Sequence, residues 1–141
     1  MTTNDPRSQL LRRALRGNAV FSATSALILF AFGGSVAGFL GAANATEMLA
    51  LGAQLAVFAA WLAWLSSRNI ISRWQAALVI LLDLVWVAGS AATLLSPPPA
   101  LTTGGKWAIA FVADVVGLFA ILQFVGLRRI TRTRLQARAS G

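Results

Sequence analysis

The chain has no cysteine, no histidine and no tyrosine among its 141 residues. Missing thiols and imidazoles exclude disulfides, thiolate metal sites, imidazole-ligated haem and Cys/His nucleophile pairs within the chain. Charge is scarce as well: 11% of residues are charged and 57% are hydrophobic. A soluble domain carries about 25% charged residues. A water-soluble fold this poor in charge would have little to cover its surface with, so lipid is the expected solvent.

What is present falls into four long apolar blocks, from about Ala19 to Leu40, Met48 to Leu65, Trp74 to Leu95 and Trp107 to Leu127. Each approaches the ~20 residues that cross ~30 Å of hydrocarbon at 1.5 Å per residue. In hydrocarbon each backbone group must be paired within its own segment, which makes these blocks helices. Period-two alternation, the mark of a membrane β-barrel, is not visible. The joints are short, and Pro97-Pro98-Pro99 cannot continue a helix. Short joints predict an all-α, up-down-up-down bundle of four transmembrane helices in a single domain spanning 1–141. Asn44-Ala45-Thr46-Glu47 fits a capping box opening the second span.

Residues 1–17 are polar and basic. Asp5-Pro6 suits a helix start. Leu10, Leu11, Ala14 and Leu15 share a side, with Arg12, Arg13 and Arg16 beside them. The pattern predicts a short amphipathic helix at the membrane surface, or a frayed basic tail. The first apolar block also follows arginines, and Ala43-Asn44-Ala45 resembles a signal-peptidase site. At about 22 residues, however, the block exceeds the usual 7–15 of a signal peptide, so a retained span is expected.

Eleven of the twelve basic residues fall on one side of the predicted spans; only Lys106 falls on the other. This bias predicts that both termini are cytoplasmic, in an inner (plasma) membrane. The net charge of +8 is therefore a topology signal. Arg12, Arg13, Arg16, Arg128, Arg129 and Arg132 are the expected contacts to anionic headgroups. Nucleic-acid binding is not expected, because no aromatic is interleaved with the basic tail.

Helices in lipid associate through close backbone approach and polar contacts. Gly34-x-x-x-Gly38 and Ala113-x-x-x-Gly117 are candidate packing faces. Asp83 and Asp114 are the only acids expected at depth, with Gln54 and Gln123 also inside spans and Glu47 at a span's mouth. Asn18, Ser22 and Ser25 share a face of the first span. An aspartate at a span centre costs about 2.5–3.5 kcal/mol, so such residues usually face the interior and act. No basic residue lies inside a span. Four outcomes remain for the two acids: protonation, one proton shared between them, capture of a cation, or pairing with a basic group of another subunit. A polar line from Glu47 through Gln54 to Asp114 and Asp83 would support transport.

With no catalytic set and no cofactor-binding motif, no cofactor is expected. The chain reads as a small non-catalytic integral membrane protein: a subunit, assembly factor or scaffold of a larger complex. The alternative is a small oligomeric proton- or cation-coupled transporter or channel built on Asp83 and Asp114. Paired aspartates also serve hydrolytic enzymes, but nothing else in the chain supports that reading.

Overall fold

The computed structural model describes the backbone of residues 6–41 and 43–139, and side chains of 8–41 and 43–131. The described residues form four helices: α1 (Pro6–Leu40), α2 (Ala45–Ser67), α3 (Arg73–Leu95) and α4 (Thr103–Ala139). All four are long and apolar enough to cross a bilayer. Only 17–28% of each helix's most apolar stretch is buried within the chain. The remaining apolar surface faces outward, as lipid rather than water would favour.

The amphipathic segment is not a separate surface helix. It is the first part of α1, which runs without a break from Pro6 as far as a kink at Phe32. The apolar side of Leu11, Ala14 and Leu15 continues through Ala19, Ala26 and Leu29 as one buried stripe. Nothing between Arg16 and Ala19 breaks the helix or rotates that stripe out of register, so the segment packs instead of lying flat. Asp5, the expected cap, lies outside the described residues. The basic tail likewise continues α4, to Ala139.

α1 packs along α2 and α4, and α3 packs along α4. The central pair is therefore α1 and α4, flanked by α2 and α3. All four helices meet at one end, where Leu11, Leu15, Leu62, Leu65, Val79 and Ile130 form the main core cluster. At the other end, the α1–α2 and α3–α4 turns are tied together. Thr102 donates its N–H to Leu40 O at 2.9 Å and its hydroxyl to Phe39 O at 2.5 Å. The capping box forms as its spacing predicts: Glu47 N–H donates to Asn44 Oδ1, and Asn44 N–H donates to Glu47 Oε2, both at 3.0 Å.

Close helix approach occurs at glycines other than those singled out by motif. A Cβ at Gly126 would stand 2.8 Å from Leu11 N and 2.9 Å from its Cα, so α4 meets the backbone of α1 there. Gly33 is buried facing Met48 of α2, whereas Gly34 and Gly38 are exposed, and a Cβ at either would meet nothing within 4 Å. One residue turns a helix by about 100°, and Gly33 and Ala37 take the inward side. α1 also kinks at Phe32 (φ −129°, ψ 18°). Of the α4 pair, Ala113 is half-buried, and Gly117 lies at the α3 boundary, 3.7 Å from Val87 by the same measure.

Candidate functional site: a buried carboxyl between three helices

Asp83 is buried, 3% exposed, where α3 meets α1 and α4. Two amides converge on one of its oxygens. Asn18 Nδ2 of α1 donates to Asp83 Oδ2 at 2.8 Å, and Gln123 Nε2 of α4 donates to the same atom at 3.1 Å. Ser22 Oγ donates to Asn18 Oδ1 at 3.3 Å and so fixes which way that amide faces. Asn18, Ser22 and Gln123 are themselves buried, Gln123 completely. Gln123 Oε1 has no hydrogen-bond partner among the described residues. Such a buried polar junction rigidifies a helix contact, because each donor removed from water must find an acceptor.

Asp114 does not join this junction; it is exposed on the outside of α4. The reason is helical phase. Nine residues separate Asp114 from Gln123, which is about half a turn in phase and roughly 13.5 Å along the axis. With Gln123 facing inward onto Asp83, Asp114 must face outward and nearer the tied turns. Gln54 is exposed on α2, and exposed Glu47 is engaged in the capping box. The line from Glu47 through Gln54 and Asp114 to Asp83 is therefore not formed. What forms is a compact group of Asn18, Ser22, Asp83 and Gln123. The shared face of Asn18 and Ser22 was the sequence signal for it; Ser25 instead donates back to Phe21 O of its own helix.

A second buried polar site centres on Arg12, which is 8% exposed and so does not face headgroups. Its guanidinium donates to Ser66 O, to Arg68 O at 2.8 Å and to Asn69 O at 3.5 Å. These carbonyls belong to the end of α2 and the turn after it. The last turn of α2 has no basic residue of its own. Arg12 supplies the cation that a helix C-terminus favours, from a different helix. No local pattern marks such a contact, since 54 residues separate Arg12 from Ser66. Arg13, Arg16, Arg128 and Arg129 are exposed, with Arg128 stacked 5.3 Å from the Phe124 ring. The side chain of Arg132 lies outside the described residues.

Comparison with protein families, curated proteins and solved structures finds no match to this chain.

Proposed function

We propose that the protein is a non-catalytic component of an inner-membrane assembly, acting as a subunit, assembly factor or scaffold. One observation carries this reading: the polar groups within the spans are divided between a packed junction and the outer surface. Asp83 is engaged by two amides inside the chain, whereas Asp114 and Gln54 face outward from α4 and α2. Outward polar groups at mid-span are costly against lipid and are relieved by a neighbouring helix. Under this reading, solubilisation in mild detergent places the protein in a complex larger than its own mass. Asp114→Leu with Gln54→Leu shifts it to the free form. Free migration of the unsubstituted protein under the same conditions excludes the reading.

The orientation follows from the charges. Eleven of twelve basic residues lie at the termini and the α2–α3 turn, which supports a cytoplasmic location for both ends and contact of exposed Arg13, Arg16 and Arg128 with anionic lipid. The absence of native cysteine makes the check direct. In intact cells an impermeant thiol reagent should label Ala100→Cys and spare Ser140→Cys. Labelling of Ser140→Cys alone reverses the orientation.

A second reading, an oligomeric proton- or cation-coupled carrier, draws on the buried Asp83 carboxyl and the unpartnered Gln123 Oε1 beside it. It requires a flux into reconstituted vesicles that Asp83→Asn abolishes.

A further inference from the structure

α4 has a narrow outward stripe. Between Trp107 and Arg128 its exposed residues are Phe111, Asp114, Leu118, Ile121 and Phe124, recurring every three or four positions. That spacing is the seam of two helices crossing at a shallow left-handed angle. Asp114 sits inside it, an acid among large apolar side chains. The outward surface of α2 is broader, taking in Leu49, Ala53, Ala60 and Ala63, and along it exposed Ala50, Gln54, Val57 and Trp64, with half-buried Trp61, recur at a similar spacing.

The two polar residues lie a similar number of residues past the starts of their helices. α2 and α4 both start at the tied turns and run the same way. Gln54 is ten residues past its cap, Asn44, and Asp114 is twelve past Thr102, whose hydroxyl accepts from Gly105 N at 2.9 Å. Counted from these two caps at 1.5 Å per residue, the two positions differ by about 3 Å along their helices, within reach of a glutamine side chain. They do not meet within one chain, because α1 stands between α2 and α4.

We propose that the α4 stripe is the docking surface for the α2 face of a second copy, with the Gln54 carboxamide donating to the Asp114 carboxyl. Complementarity selects this pairing. An α4–α4 contact would set two carboxyls against each other, and an α2–α2 contact would leave both Asp114 side chains in lipid. Ala50 and Ala53 flank Gln54 and allow close approach. A single polar pair within an apolar seam also fixes register, because any slip leaves both groups unmatched. Each copy carries one of each face, so two-fold pairs and closed rings both satisfy the contact. The inference rests on the reading of the outward polar groups as docking surfaces and specifies what covers them.

The test uses full-length protein. One tagged population carries Val57→Cys and a differently tagged one Leu118→Cys, co-reconstituted at low density in vesicles of zwitterionic and anionic phospholipid and then oxidised. A disulfide joining the two tags is expected in the mixture, with only background from either population alone. Adding Asp114→Leu to the Leu118→Cys copy should lower the mixed yield roughly three- to tenfold, the scale of one intramembrane polar pair. Equal cross-linking of Leu118→Cys with itself would overturn the pairing, as would a strictly monomeric protein in native mass spectrometry. If copies stay apart while the larger complex persists, only the second copy is excluded. If copies pair while no larger complex forms, it is the wider functional reading that fails.

Discussion

Replacing Asp83 with alanine should lower the stability of the helix assembly by about 2–4 kcal/mol. Two buried donors, Asn18 Nδ2 and Gln123 Nε2, lose the acceptor they share. An unsatisfied buried donor costs about 1–3 kcal/mol. Polar contacts inside membrane proteins average nearer 0.6 kcal/mol, because helices separated within lipid find other partners. The upper part of the range wins here because both donors share one atom and both side chains are fully packed. Neither can turn toward an alternative acceptor without leaving its helix contact. Asp83→Asn keeps one acceptor oxygen and should lose less than the alanine variant. Joint replacement of Asn18, Asp83 and Gln123 by leucine should recover much of the loss, since the penalty comes from unmatched groups rather than from missing attraction. Denaturation in mixed micelles, followed by tryptophan emission, gives the ordering. An alanine variant as stable as the wild type would mean that the junction contributes nothing to cohesion.

Much of this architecture was readable from the residues. Four apolar blocks gave four helices because length and hydropathy alone decide what spans lipid. The Asn44/Glu47 cap was readable because it is local. The extent of α1 was not: a polar, basic stretch at a chain start resembles a surface helix until the partner for its apolar side is known. That partner comes from Leu62, Leu65 and Ile130, far along the chain. The same limit governed the acids. Asp83 and Asp114 look alike as isolated aspartates in apolar runs. What separates them is the phase of Gln123, half a turn from Asp114, and the presence of Asn18 on α1. The small-residue spacing singled out Gly34 and Gly38 and not Gly126, yet a Cβ at Gly126 would meet a neighbouring backbone, whereas one at either motif glycine would meet nothing within 4 Å. A small-residue motif states that close approach is permitted, not where it occurs.

Arg12→Ala should open the α2–α3 turn and cost about 1.5–3 kcal/mol, the scale of hydrogen bonds made by a charged group. Three carbonyls converge on the guanidinium, two of them at α2's end and a third one residue further. Without it Ser66 O at the carbonyl end of α2 loses its side-chain donor, and α2 has no basic residue in its last turn to substitute. Leu11 and Leu15 flank Arg12 in the main core cluster, together with Leu65 of α2 and Ile71 of the turn. Loosening the turn therefore also loosens the apolar end where all four helices meet. Arg12→Lys retains the charge but not the planar fork. It reaches fewer of the three oxygens at once and should fall between wild type and alanine. Arg13→Ala and Arg16→Ala, on the exposed side of the same helix, are the controls and should be close to neutral. Limited trypsin digestion in detergent reads the effect directly, because Arg68 and Arg73 bracket the turn. Cleavage there should accelerate strongly in Arg12→Ala and little in the controls. Equal rates in Arg12→Ala and Arg13→Ala would mean that the turn holds itself, through the Arg68 N–H to Leu65 O bond at 3.3 Å and the stacking of Arg68 on Trp64 at 4.6 Å.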